Sequence, residues 1–324
     1  MTKPFRFGFQ CYTATSGAEW REKARRAEGL GYSSFLLADH YLGPGPALAA
    51  TGHPVQMVAA VPAMAVAAEA TSTIRVGCRV LCIDYRNPVV LAKEMATIDL
   101  FSEGRLELGL GAGWLTGEYE AMGVPMDPPG VRIDRLTEVV RVVKATMAGG
   151  EVAVEGTAGV RAVGFEGVPK PVQRPHPPIM IGGGARRVLT LAGREADIVS
   201  FNFDNRSGTL GPHSFAGSTA AVQEQKLAWV RAGAGDRFAD LELEIGGYLT
   251  VVTDAGEATA AAMAARFGIE PADLLAHPHA LIGSVDTICD ELERRRQAYG
   301  ISYVTVGEAV ADAFAPVVER LTGR

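Results

Sequence analysis

The chain lacks most of the features that announce a chemistry on sight. It has four cysteines, Cys11, Cys78, Cys82 and Cys289, and no Cys-x-x-Cys pair. Cys78 and Cys82 lie four apart on a predicted strand, which puts them on one face with no histidine nearby, so buried reduced thiols are expected rather than a metal site. That thiol usage points to the cytoplasm. No basic cluster offsets the net charge of −6, which argues against a nucleic-acid partner. No long apolar run is present either: Val55 to Ala70 comes closest, but Gln56, Pro62 and Glu69 interrupt it, and no membrane association is expected. Met1 to Arg6 runs straight into a strand without an apolar h-region, so no targeting signal is expected.

Motifs with a fixed meaning are missing too. Gly109-Leu110-Gly111-Ala112-Gly113 falls short of the dinucleotide fingerprint, because Trp114 and Thr116 stand where a further glycine is needed. There is no glycine-lysine-hydroxyl triplet of a Walker loop and no G-x-S-x-G elbow. Carboxylates paired for glycoside chemistry cannot be assigned from spacing. His53, His176, His213, His277 and His279 fall in Pro- or Gly-rich loops and read as solvated or structural. No histidine pair has ligand spacing on one helix, so no metal is expected.

What is present is a regular alternation centred on Thr73 to Gly123. A β-branched strand, Ile74 to Leu81, is broken by Arg86-Asn87-Pro88. Pro88 opens the helix Val89 to Phe101, since its missing N–H is one the first turn leaves unpaired. After the turn Ser102 to Arg105, the strand Leu106 to Leu110 enters the glycine-rich loop Gly111-Ala112-Gly113-Trp114. Strand, helix and strand in this order form a parallel crossover with a binding loop at a strand's carboxyl end.

The same grammar runs through the rest of the chain. Strands are expected at Phe5–Gln10, Ser33–Ala38, Pro178–Ile181, Asp197–Phe201, Leu241–Val252 and Ile301–Val306. Helices are expected at about Ala18–Leu30 (ended by Gly31), up to Ala70, and at Val131–Met147, Arg186–Gly193, Thr219–Ala232, Gly256–Phe267, Ser284–Tyr299 and Ala309–Leu321. In the long helix, Asp134, Arg135, Glu138, Arg141 and Lys144 form the polar side, and Ile133, Leu136, Val140 and Val143 face inward. Glu151 to Glu166 reads as an inserted β-hairpin, Pro169 to Pro178 as an extended connector, and the helix Gly256–Phe267 is followed by a short turn near Pro271. Gly43 to Pro54 is a surface loop able to act as a lid, and Asn202 to Gly217 reads as a mobile active-site loop. Eight strands, each followed by a helix, with no composition break and no tandem repeat, predict one (β/α)₈ barrel (TIM barrel) over residues 1–324.

Three places on this frame carry candidate chemistry. Gly182-Gly183-Gly184-Ala185-Arg186-Arg187 follows a strand and opens a helix. Its bare backbone and helix dipole suit a phosphate, with the arginines adding charge; the same residues also make a plain tight turn with two solvated arginines. The loop Gly111 to Trp114, with Glu118 and Tyr119 behind it, suits a flat ring with a polar tail, although it too serves as a close-packed turn. Asp39-His40 ends the second strand, where side chains reach the barrel mouth and a histidine exchanges a proton near neutral pH. An aspartate capping the next segment beside a packed histidine fits those positions equally.

Thr73-Ile74-Arg75-Val76-Gly77, Arg86-Asn87-Pro88, Ala96-Thr97-Ile98-Asp99, Gly104-Arg105, Gly109 to Trp114 with Glu118-Tyr119, Pro178 to Arg187 and Glu195 to Val199 together resemble the luciferase-like monooxygenase superfamily, and most of all its F420-dependent oxidoreductase branch. The resemblance implies a (β/α)₈ barrel binding coenzyme F420 or FMN. It implies that Asp39 and His40 face the deazaflavin ring as the catalytic pair, the histidine being catalytic in some relatives. Cys78 and Arg79 match a bulge with a non-proline cis peptide behind the ring. Gly111, Ala112 and Gly113 match the ribityl-phosphate side, with Trp114 and Glu118 at the same rim. Gly182, Gly183, Gly184 and Arg186 match the phosphate loop.

The activity implied is hydride transfer between the deazaflavin C5 and a small organic substrate, as C=C or C=N reduction or the reverse dehydrogenation. FMN-dependent monooxygenation with a separate reductase supplying reduced cofactor is the alternative, and a non-catalytic flavin- or ligand-binding barrel is a third. A homodimer is the default expectation for such a chain. The loops Gly43 to Pro46 and Asn202 to Gly217 match the family poorly, so they leave the substrate open.

Overall fold

The computed structural model describes residues 3–216 and 218–324. Eight parallel strands close into a barrel: β1 (Arg6–Gln10), β2 (Ser34–Leu37), β3 (Arg75–Cys78, resuming at Leu81–Cys82), β4 (Leu106–Gly111), β5 (Ile179–Gly183), β6 (Ile198–Phe201), β7 (Glu242–Gly246) and β8 (Ile301–Gly307). Each pairs with the next, and β1 pairs with β8 from Arg6↔Tyr303 to Gln10↔Gly307, which leaves no open edge. The predicted (β/α)₈ barrel is the fold observed.

The period-2 alternation of the strands separates two interiors. Outward residues such as Phe7, Phe9, Phe35, Val76, Leu108, Ile181 and Phe201 pack against the helices and form the main core. Inward positions are mostly polar or glycine, with one apolar layer. At the lower end of the barrel Arg6 pairs with Glu107 and, at 2.5 Å, with Glu242, and lies over the Tyr303 ring at 3.6 Å. Above them Leu36, Met180, Ile198 and Tyr303 form a small apolar plug, with Val80 on top. The plug closes the barrel, so the space above it opens only toward the carboxyl ends of the strands.

Local chemistry starts and stops the helices as expected. Ser16 caps Gly17–Gly29 through the Glu19 N–H at 3.1 Å, and Gly31 beyond it takes φ +82°. Pro88 is the first residue of its helix, whose cap Asn87 accepts from Val89 N at 2.9 Å. The hairpin insertion is present at Glu151–Glu155 and Arg161–Glu166.

Four local expectations need correction. The strand Ile74–Leu81 is interrupted: Arg79 N still donates to Leu37 O of β2 at 2.7 Å, but pairing with β4 stops after Gly77 and resumes only at Leu81, with a cis peptide bond between Arg79 and Val80. The resemblance put this bond at about Cys78 and Arg79; it lies between Arg79 and Val80. As a result Cys78 faces the outer core while Cys82 reaches the cavity, and the two do not share a face. The run Leu241–Val252 is two strands. At Gly246-Gly247 the chain leaves the barrel, with Gly247 N bonded to Thr305 O at 2.8 Å, and Leu249–Val252 pairs instead with an unanticipated strand, Ala280–Gly283. The turn near Pro271 is a short helix, Pro271–Leu275. Finally, Glu138 is buried, because its carboxylate accepts the Ala158 and Val160 N–H groups of the hairpin. Among the described residues no helix is long and apolar enough to cross a membrane.

Candidate active site

A cavity of about 540 Å³ lies above the plug. That size suits a small-molecule or cofactor site. Seven of the eight strand ends supply its walls: Gln10, Asp39, Arg79, Gly111, Gly182, Ser200 and, just past β7, Tyr248. Of the residues singled out in the sequence, Asp39, His40, Arg79, Gly111, Ala112, Gly113, Trp114, Gly182, Gly183 and Gly184 all line it. Cys78, Glu118 and Arg186 do not: Cys78 is in the outer core, Arg186 is exposed at the start of its helix, and Glu118 lies buried behind His40.

One wall is held by charge. Arg86 grips Asp39 with both terminal nitrogens, at 2.6 and 2.7 Å. Cys82 N donates to the same carboxylate at 2.8 Å and the Tyr41 hydroxyl at 2.9 Å. Four bonds fill the acceptor positions of a carboxylate, so Asp39 anchors the end of β2 and has no lone pair left for substrate. His40, next along, places Nδ1 2.7 Å from Glu118, whose side chain is fully buried. Glu118 comes from the helix Thr116–Met122 and also accepts the Tyr85 hydroxyl at 3.0 Å and the Tyr41 N–H. Burial opposes its charge, but the bonds from His40, Tyr41 and Tyr85 hold its carboxyl below the usual range. Because the carboxylate accepts from Nδ1, His40 keeps Nε2 as its exchangeable nitrogen, and among the described residues Nε2 has no partner.

A second wall, at the ends of β4 and β5, is bare backbone. A Cβ on Gly111 would meet Val80 at 2.5 Å, and one on Gly184 would meet the Phe203 carbonyl oxygen at 2.0 Å, so both positions require glycine. The helix Arg186–Glu195 begins at this wall with Ala185 as its N-cap and no side-chain cap, which leaves its first N–H groups open to an anion. Arg132 lies near by on the helix Pro129–Met147. It is buried and lines the cavity, yet its guanidinium bonds only carbonyl oxygens: Asp127 and Ala112, both at 2.9 Å, and Gly113. No carboxylate neutralises it among the described residues, so it is a cation with charge to spare beside the uncapped helix.

Beneath the third side, Arg79 is buried against Glu244 at 2.8 Å and donates to the Tyr248 hydroxyl at 2.9 Å. Residues the sequence reading passed over include Arg132, Tyr85, Arg86 and His53. Arg86 belongs to a motif of the resemblance, which by itself marks only a break after the strand. His53, expected to be a solvated or structural loop residue, lines the cavity.

A family model described as luciferase-like monooxygenase matches residues 4–312. The chain belongs to the luciferase-like monooxygenase family. Its relatives include users of either cofactor. An F420-dependent glucose-6-phosphate dehydrogenase from Amycolatopsis mediterranei is 32% identical over 179 residues, covering 54% of this chain and 50% of that protein. An FMNH(2)-dependent dimethylsulfone monooxygenase from Pseudomonas putida is 35% identical over 111 residues, 34% of this chain and 30% of the relative. The match thus spans half or less of these two relatives' lengths. A coenzyme F420-dependent tetrahydromethanopterin reductase from Methanopyrus kandleri shares the fold, with a TM-score of 0.74 at 18% identity over 98% of both chains. This luciferase-like chain is therefore an oxidoreductase-family barrel, and its relatives include proteins that use F420 and proteins that use FMNH(2).

Proposed function

We propose that the protein is a coenzyme F420-dependent oxidoreductase that moves hydride between the deazaflavin C5 and a small organic substrate. The observation that carries this reading is His40, held through Nδ1 by a buried carboxylate at 2.7 Å and presenting an unpartnered Nε2 at the cavity. A proton must be exchanged at the substrate for each hydride moved, and this histidine is built to exchange one. When bound, the cofactor supplies the hydride donor or acceptor at a ring carbon. The residues suited to hold it are Val80 with Gly111 and Gly182 packed against it, the backbone of Gly111–Gly113 and Gly182–Gly184, the uncapped helix start at Ala185, and Arg132 for the anionic tail. Asp39 anchors the wall rather than reacting.

FMN-dependent monooxygenation with a partner reductase is the second reading, favoured by the Pseudomonas putida relative. The test offers the protein oxidised F420 with a panel of alcohols and amines, and reduced F420 with electron-poor alkenes and imines, while cofactor absorbance is followed. Turnover that is lost in His40→Ala supports the proposal. Oxygen consumption with reduced FMN, and no turnover of either form of F420, overturns it.

A further inference from the structure

His53 sits on the Gly43–Pro54 loop, and its ring lies against that of His40, with centroids 4.0 Å apart and planes tilted by 43°. Trp114 flanks both, at 5.9 Å from His40 and 6.0 Å from His53. The placement of His53 is built into the two loops that cover the cavity. Its N–H donates to the Thr51 hydroxyl at 3.1 Å, the Thr51 carbonyl accepts from Leu210 N at 2.8 Å, and a Cβ on Gly52 would meet the Leu210 carbonyl at 2.7 Å. The Gly43–Pro54 loop and the segment around Leu210 thus meet behind this imidazole.

The hydrogen bonds assign the tautomers. A carbonyl only accepts, so His53 Nδ1, 2.8 Å from Pro54 O, carries the proton. In His40 Nδ1 does the same toward Glu118. Each ring is therefore left with Nε2 as its exchange position, and among the described residues neither Nε2 has a partner.

We propose that His53 is a second proton-transfer residue of this site, packed against His40 so that the two imidazoles carry one proton between them and pass it from the reacting substrate atom to solvent at the Gly43–Pro54 loop. This deepens the function proposed above and rests on it. The two rings are too close to be cations together, since like charges at this separation oppose one another strongly. Burial, and after it the charge of His40, push the His53 imidazole down to about 4. The other titratable groups of this corner are Glu118, which works in the opposite direction, and Tyr85, whose hydroxyl is spent on Glu118. Asp204 and Arg206 line the cavity from the facing loop and pair with each other at 2.7 Å.

The bookkeeping of the step is simple. When a substrate O–H or N–H bond breaks, its electron pair stays on the substrate atom and its proton bonds to His40 Nε2. His40 cannot release that proton through Nδ1, because the buried Glu118 closes that side. Nε2 is its exit. His53, on the loop side, takes that proton at its own Nε2 as His40 returns to neutral, and passes it to water.

Histidine Cε1–H and ring-nitrogen NMR titration of the uniformly histidine-labelled full chain tests the pairing without any cofactor, with His53→Gln used to assign the signal. In the wild type His53 is expected to remain the neutral Nδ1–H tautomer at pH 5.5. In His40→Asn its proton affinity is expected to rise about tenfold or more, as the opposing charge disappears. A His53 that charges near pH 6.5 in the wild type, or that does not respond to His40→Asn, overturns the pairing. A folded His40→Asn protein is confirmed by the unchanged signals of His277 and His279, which lie away from the pair; if that variant does not fold, the wild-type protonation state and tautomer at pH 5.5 decide alone. Because the titration needs no F420, its failure leaves the cofactor assignment standing, and a failure to bind F420 leaves the pairing standing.

Discussion

The two walls of the cavity solve opposite problems. The β2 wall concentrates ionisable groups: Asp39, Arg86, His40 and Glu118 are tied by bonds of 2.6–2.7 Å. The β4–β5 wall removes side chains altogether and offers backbone, a helix start and one unneutralised guanidinium. A wall that must hold a proton at a defined atom needs its partners pre-paired, since an unpaired buried charge is costly. A wall that must accept an anionic ligand needs donors left unpaired. The difference separates the chemistry of the site from its binding.

Cutting one partner out of the charged wall is the strongest way to break this contrast. Arg86→Ala strands the buried Asp39 carboxylate and is expected to cost about 3–5 kcal/mol in urea denaturation; a loss below about 1 kcal/mol would mean that the pair holds nothing. Acid tests the same wall next. Unfolded His53 takes a proton below pH 6.5, whereas folded His53 refuses one until about 4. In that window protons favour the unfolded chain, so stability falls as the pH drops, by at most about 3 kcal/mol. Glu118 acts in the same direction, because its folded carboxyl is held low and its contribution is lost on acidification. His53→Gln is expected to flatten the part of the profile between pH 6.5 and about 4.

The bare wall is probed by Gly184→Ala, whose Cβ would meet Phe203 backbone at 2.0 Å. About 1–3 kcal/mol of overpacking is expected, together with weaker F420 binding, in thermal melts and calorimetry. The smallest effect is expected for Arg132→Met: cofactor binding about tenfold weaker and less dependent on salt, with the His40 and His53 resonances unmoved.

Much of this contrast was legible in the chain, though not evenly. The bare wall is marked locally, because Gly182-Gly183-Gly184 after a strand suits either close backbone approach to a ligand or a tight turn, and the barrel follows from the alternation of strand and helix patterns. The charged wall is dispersed. Glu118 is 78 residues from His40 and Arg86 is 47 from Asp39, so no local spacing joins them. The break in β3 was hidden because a β-branched run looks the same whether or not its pairing with one neighbour is interrupted. His53 lay in a Gly- and Pro-rich loop, where no periodicity marks a direction, and only the fold brings it against His40. Glu138 shows the converse: a correct helical period put it on the polar side, and the hairpin then covered it.

The most direct test of the central claim follows Trp114, the tryptophan among the cavity-lining residues, while F420 and FMN are titrated separately into the purified protein. The account predicts saturable quenching by F420 that disappears in Trp114→Phe, with FMN binding weaker. Tight binding of FMN alone would contradict the deazaflavin assignment, and quenching by neither would contradict the cavity as a cofactor site.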